Sequence, residues 1–283
     1  MATKITILCD NTAASMFGLT AEHGFSALIE KDGEKILFDT GQGFTLKHNA
    51  SLLRVDFKDI NKNVISHGHY DHTGGLADAL YPPRGANVYL HPDCFIPKYA
   101  KINTPSKENY TYIGIRFQKE FIVDSLKANL IYLKEFTEIA KGIYFSGQIP
   151  KDERFAIKDR RLLIKTEDGK FIEDPFNDDI SLLIETDKGP VVLFGCAHSG
   201  VVNILRYFSE KTGHKKFHAV IGGTHLGFFP PGEALNNILD CFEEFSIELI
   251  AVSHCTGPVA AAHCYMRFKD KFEFANVGWS KSF

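Results

Sequence analysis

Six consecutive residues, His67-Gly68-His69-Tyr70-Asp71-His72, bring three imidazoles and a carboxylate into one short stretch. In an extended segment side chains two apart project to one side, so His67 and His69 can grip a single ion as the chain leaves a strand. Asp71 and His72 fall where the chain turns through Thr73-Gly74-Gly75 and can face a second ion. Imidazole nitrogen with a hard carboxylate suits Zn²⁺ and also accommodates Fe or Mn. A random match to three His and one Asp in this order arises in roughly one such sequence in a thousand, so incidental histidines in a polar loop are the weaker explanation.

One loop does not complete a metal site, and further donors stand just beyond apolar runs that read as strands. His198 lies in Gly195-Cys196-Ala197-His198-Ser199-Gly200, His254 in Ser253-His254-Cys255-Thr256-Gly257, and His225 in Gly222-Gly223-Thr224-His225-Leu226. Glycines beside a histidine at a strand end permit tight turns and close backbone approach. His198 and His254 are taken as ligands, and His225 as a substrate contact. His23, His48, His91, His214, His218 and His263 lack such a context and read as structural or exposed, with His91 the first to reconsider.

The elements that must position these residues follow from the hydrophobic pattern. Strands are predicted at Lys4 to Asp10, Ser26 to Lys31, Lys35 to Asp39 and 63–67, with helices at Phe44 to Arg54 and Leu76 to Tyr81. Strands at Gly142 to Ile149, Ile180 to Thr186 and Val191 to Gly195 open the second half, and buried strands recur at Ala219 to Ile221 and Leu249 to Val252. Val201, Ile204, Leu205 and Phe208, and likewise Leu235, Ile238, Leu239, Phe242 and Phe245, keep the i, i+3, i+4, i+7 spacing of helices with one apolar face. Strands followed by helices in each half imply two packed sheets with helices outside, an α/β chain in a single domain. Residues 93–130 fit neither period and carry Tyr99, Tyr110, Tyr112, Phe117 and Phe121 among basic residues. They read as an insertion, a small satellite core or dimer contact, with a substrate cap as the alternative.

The 283 residues are 44% hydrophobic, which suffices for a large core. Lys plus Arg (32) nearly balances Asp plus Glu (35), which removes the broad basic field of a non-specific nucleic-acid binder. No run of 18 apolar residues predicts a spanning helix. The opening residues show no charged-then-apolar leader, and the six cysteines are irregularly spaced without a C-x-x-C pair. The expectation is a reduced, cytoplasmic protein.

The H-x-H-x-D-H loop after a strand resembles the signature of the metallo-β-lactamase superfamily. More narrowly, Asp10-Asn11-Thr12, Ala21-Glu22-His23-Gly24, Leu37-Phe38-Asp39-Thr40-Gly41, the segment from Ser66 to Leu76, Gly195-Cys196-Ala197-His198 and His254-Cys255-Thr256-Gly257 are similar to the branch labelled dihydropterin-ribofuranosyl-aminobenzene-phosphate synthase. The resemblance implies a four-layer αββα sandwich holding one or two metals at the edge between its sheets. It also shows departures. Where the superfamily's Gly-Asp is expected the chain has Gly195-Cys196, and where a third-motif histidine should precede a strand it has Asp178-Asp179. Cys196 as a thiolate or Asp179 could supply the missing ligand, and His198 is preferred because a neutral imidazole keeps the site compatible with an anionic substrate.

On this reading His67, His69 and His198 hold one ion, and Asp71, His72 and His254 the other, with Asp71 and His72 as catalytic residues. The ion is Zn²⁺, with Fe or Mn as alternatives. The reaction implied is hydrolysis of a small phosphorylated or cyclic ester. A metal-assisted synthase or lyase in pterin biosynthesis and a non-catalytic metal-bound sensor are the alternatives. The partner is a small anionic molecule, with neither nucleic acid nor membrane, and a homodimer is a further reading.

Overall fold

The computed structural model describes residues 3–14, 18–104 and 107–283. In chain order the strands are β1 (Lys4–Cys9), β2 (Ser26–Lys31), β3 (Glu34–Phe38), β4 (Lys62–Val64), β5 (Asn87–Leu90), β6 (Lys98–Thr104), β7 (Lys107–Tyr112), β8 (Asn129–Tyr132) and β9 (Thr137–Ala140). They continue as β10 (Ile143–Phe145), β11 (Leu162–Lys165), β12 (Phe171–Glu173), β13 (Ser181–Ile184), β14 (Val191–Phe194), β15 (Ala219–Gly223), β16 (Leu249–Ser253), β17 (Phe272–Phe274) and β18 (Ser280–Ser282). The helices are α1 (Leu46–Leu52), α2 (Tyr70–Thr73), α3 (Leu76–Leu80), α4 (Val201–Thr212), α5 (Glu233–Glu244) and α6 (Pro258–Phe268).

Two sheets result, in the orders β18-β1-β2-β3-β4-β5-β8 and β17-β16-β15-β14-β13-β10-β9. Alternation along each strand decides what lies between them. Leu182 and Ile184 face the other sheet and meet a core with Ile5, Ile7, Ile36 and Phe38, whereas Leu183 between them faces the helices. The strands β14, β15 and β16 run parallel and are buried along their whole length, as befits strands covered on both faces. Val201, Ile204, Leu205 and Phe208 of α4 and Leu235, Ile238, Leu239 and Phe242 of α5 pack on the outer face of that sheet. Each such side chain contributes about 1.5–3 kcal/mol when fully buried. Leu46 and Ala50 of α1 cover Leu8, Leu28 and Leu37 on the opposite outer face. The layers are therefore αββα, as the resemblance implies.

Several elements are shorter than in the sequence reading, β10 most of all, which ends at Phe145 and not at Ile149, and three differences bear on the site. The strand predicted over 63–67 stops at Val64, because the Ser66 amide donates to the Asp39 carboxylate at 2.7 Å instead of to a neighbouring strand. Helix α1 begins at Leu46 and not at Phe44, because the Glu22 carboxylate takes the amides of Gln42, Gly43, Phe44 and Thr45 at 3.0, 3.3, 2.7 and 3.1 Å. Thirdly, much of segment 93–130 is regular: β6 and β7 pair as a hairpin and join β11 and β12 in a third sheet of order β12-β11-β6-β7. Residues 105 and 106 of that segment lie outside the described residues. On this sheet Phe171 stacks on Tyr110 at 4.2 Å and meets Tyr99 edge-on at 5.1 Å, with Tyr110 still exposed. Among the described residues no helix is long and apolar enough to cross a membrane.

Candidate metal centre

The loop after β4 is shaped by Asp39, which follows β3 with a positive φ of 60°. Its two carboxylate oxygens take the Ser66 amide and, at 2.6 Å, the Ser66 hydroxyl, and one of them lies 2.7 Å from Nδ1 of His72. That contact places the His72 proton on Nδ1 and leaves Nε2 free to face the site. Thr40 donates its amide and hydroxyl to the His72 carbonyl at 2.7 and 2.9 Å, so the short helix α2 is tied to β3 as well. Gly68 has no room for a side chain, because a Cβ would strike the Cys94 carbonyl, and its amide donates to Asp178 at 2.8 Å.

From the other sheet, the ends of β14, β15 and β16 deliver Cys196 and His198, His225, and His254. Ala197, His225 and His254 all carry positive φ, at 56°, 51° and 49°. Such backbone persists only where surrounding contacts fix it, and it gathers at functional sites. His254 is fixed by the first loop of the chain. Its amide donates to Asp10 at 2.6 Å, and its Nδ1 lies 2.9 Å from the Asn11 side-chain oxygen, so Nε2 again points inward.

These elements bring all six expected ligands together. Nε2 of His67 lies 2.9 Å from Nδ1 of His69, and Nε2 of His72 lies 3.2 Å from Nε2 of His254. Oδ2 of Asp71 is 3.4 Å from His254 Nε2 and 3.9 Å from His72 Nε2. The His198 ring stacks on Phe176 at 4.0 Å and sits 4.8 Å from the His67 ring. The turn at 196–198 aims both of its candidates inward. Cys196 Sγ lies 3.2 Å from His72 Nε2, and lies within 4.8 Å of ligand atoms of His67 and His198 on one side and of His72 and His254 on the other. Cys196 thus joins His198 in the cluster and stands between its two halves. Asp179 accepts the Ser199 amide at 2.8 Å through one oxygen, while the other is buried without a partner.

The electrostatics of the cluster suit a cation. Burial holds His67 and His198 well below the usual histidine range, and burial with the Lys98 ammonium pushes His69 down to about 3. These rings are neutral at any working pH and present lone pairs. Burial alone would lower His72, yet Asp39 and Asp71 carry it up to about 9, so an ion binding at Nε2 displaces a proton from that nitrogen while Nδ1 keeps its own toward Asp39. Burial alone would raise Asp71, yet His72, His23 and His254 hold it well below the usual carboxylate range. Both ring nitrogens of His198 and Nε2 of His69 are buried with no hydrogen-bond partner. Orphaned nitrogens among converging imidazoles and one ionised carboxylate are the donor set of a metal site.

Some participants escape the sequence reading. His23, read as structural or exposed, is exposed, yet its Nε2 lies 3.1 Å from Asp71 Oδ2 at the rim of the cluster. Its position in Glu22-His23-Gly24 is the only signal the sequence offers. Asp39 carries no metal-ligand spacing and acts through His72 and Ser66. His225, expected to contact substrate, has Nδ1 placed 3.0 Å from the Cys196 carbonyl. His91 is buried with Nδ1 accepting the Asp93 amide at 3.1 Å, while His214 and His218 pair with Glu185 and Glu248.

A family profile described as the metallo-beta-lactamase superfamily matches residues 19–254. The chain belongs to this superfamily. A superfamily member of known structure, described as Tm1679, a metal-dependent hydrolase of the beta-lactamase superfamily, is similar at 30% identity with a TM-score of 0.82, covering 99% of this chain and 98% of that one. Two proteins of Methanocaldococcus jannaschii are similar in sequence. The uncharacterized protein MJ0448 is 36% identical over 256 residues, 89% of this chain and 90% of its own length. A 7,8-dihydropterin-6-methyl-4-(beta-D-ribofuranosyl)-aminobenzene-5'-phosphate synthase is 29% identical over 285 residues, 97% of this chain and 95% of its own. Cys196, at the position where the resemblance leads to the expectation of a carboxylate, stands in this chain at the middle of the cluster.

Proposed function

We propose that the protein is a metal-dependent hydrolase that turns water on a small anionic substrate, a phosphorylated or cyclic ester. The observation that carries the reading is the convergence of neutral His67, His69 and His198 with an ionised Asp71 that is shared by His23, His72 and His254. His67, His69 and His198 would hold one ion and Asp71, His72 and His254 a second, with Cys196 in reach of both. Zinc, or iron or manganese in its place, supplies Lewis acidity and water activation near neutral pH when bound.

The chain's own groups supply the rest. Asp71, at the edge of the cluster, orients the attacking water and collects its proton, and His23 holds Asp71 in place from the solvent side. Asp39 keeps the His72 ring in one tautomer. Arg116 lies over the Tyr70 ring at 4.7 Å, next in sequence to Asp71, and places a cation where an anionic substrate approaches.

The test is a screen of purified, metal-loaded protein against phosphodiesters, lactones and thioesters. Turnover of one class is expected, and His67→Ala or His254→Ala should reduce both metal content and rate, whereas His214→Ala should change neither. Fully loaded protein that turns over none of these would overturn the hydrolase reading. The likeness to the aminobenzene-phosphate synthase over 97% of the chain supports a second reading, a synthase or lyase acting on a phosphorylated pterin precursor. Product formation from such a substrate without net hydrolysis would select it.

A further inference from the structure

Three adjacent parallel strands, β14, β15 and β16, end beside one another, with Phe194 paired to Gly222 and Gly223 to Ser253. Neighbouring strands are about 4.8 Å apart, so side chains from β14 and β16 meet only across the end of β15. That end is Gly222-Gly223. A Cβ on Gly223 would lie 2.7 Å from Cys255 Sγ and would strike the Gly195 carbonyl. The missing side chain leaves the space in which the Cys255 thiol reaches over β15, 3.6 Å from the Cys196 carbonyl. His225, next along the same turn, directs Nδ1 to that carbonyl at 3.0 Å, and its ring is backed by Phe228 at 4.9 Å. Its Nε2 is left for the two sulfurs. Ligand atoms of Cys196, His225 and Cys255 all lie within 4.8 Å of one another.

We propose that Cys196, His225 and Cys255 form a thiolate-rich cation site for a soft divalent ion such as Cd²⁺ or Zn²⁺ beside the histidine centre, sharing Cys196 with it and abutting it where the His225 ring lies 4.2 Å from that of His198. Bonds of about 2.3 Å to sulfur and about 2.0 Å to nitrogen set ligand separations of roughly 3.5–3.8 Å in a tetrahedral site, which this trio meets with small side-chain rotations. Thiolates select soft ions, whereas the imidazole and carboxylate set next door also accepts Mn or Fe. The His225 contact to the Cys196 carbonyl is the outer partner that fixes a ligating imidazole. Cys255 is half-buried while Cys196 is fully buried, so the ion enters past Cys255. On binding, each thiol releases its proton to solvent as its bond to the ion forms. The site does not depend on the hydrolase reading.

Cadmium titration of the metal-free protein tests it, read by the thiolate-to-cadmium charge-transfer absorption. The wild type should show a two-thiolate band; Cys255→Ser should lose about half of it, and His225→Ala should weaken cadmium binding at least tenfold. His67→Ala should keep the band while binding less manganese. A band unchanged in Cys255→Ser but abolished in Cys196→Ser, or a band lost in His67→Ala, would assign Cys196 to the histidine centre alone and overturn the proposal. If the Cys255 variant fails to fold, alkylation of the wild type decides: bound cadmium should protect Cys255 from iodoacetamide, and unprotected Cys255 overturns the site. Failure of the hydrolase reading would appear separately, as absent turnover with these cadmium results intact.

Discussion

Asp39 illustrates how much of the centre is set by residues that touch no ion. Its carboxylate fixes Ser66 and the His72 tautomer at once. Asp39→Asn should therefore weaken metal binding about 10- to 100-fold, read by competition with a chelator, with little change in the fold. His72 also gives the metal-free protein a pH signature. Its folded value of about 9 exceeds the ordinary histidine value of 6.5, so the stability it contributes is full below about pH 6.5 and is lost as pH rises through 9. At 1.36 kcal/mol per unit this is on the order of 3 kcal/mol. His67, His69 and His198 are lowered, and their contribution is present above 6.5 and lost as pH falls. Denaturant midpoints of the metal-free protein should peak near pH 6.5 and fall toward pH 9, and His72→Gln should flatten that alkaline fall. The histidines of the 67–72 loop were legible because their spacing is local. His23 and Asp39 were not, because their roles come from contacts made across the fold.

At the scale of elements, the third sheet is fastened to the metal loop by a buried ion cluster. Lys98 at the start of β6 is 1% exposed and lies 2.7 Å from Asp174 and 2.9 Å from Asp178, whose other oxygen takes the Gly68 amide. Removing one partner leaves an uncompensated buried charge. Lys98→Met should cost about 3–5 kcal/mol in urea unfolding and should also lower metal content, because Asp178 then no longer holds Gly68 in register. The helices α4 and α5 could be read from sequence because their apolar spacing is a local pattern. The third sheet could not be read in full, because β6 pairs with β11 some sixty residues later and neither strand alternates strongly.

For the molecule as a whole, the centre is a seam. Gly195 must lack a side chain because a Cβ there would strike Ser66, which places the end of β14 directly against the loop after β4. Ions bridging the two sheets bind only the folded chain, so their effect on stability follows mass action. At a free metal concentration 100 times the dissociation constant the gain is about 2.7 kcal/mol per site, visible as a rise in Tm that EDTA reverses and that His254→Ala diminishes. The αββα layering was legible in outline from strand and helix alternation, but the seam was not, since Gly195 and Ser66 carry no pattern that links them. A consequence concerns the order of synthesis. The chain is made from its amino terminus, whereas a domain folds as a unit. The ligands here run from His67 to His254, so the 67–72 loop emerges long before its partners. Until β14 and β16 are in place, that loop lacks His198 and His254 respectively and can hold a cation only weakly. The nascent chain therefore stays indifferent to whichever ion is abundant during translation, and selection among metals is deferred to the finished protein.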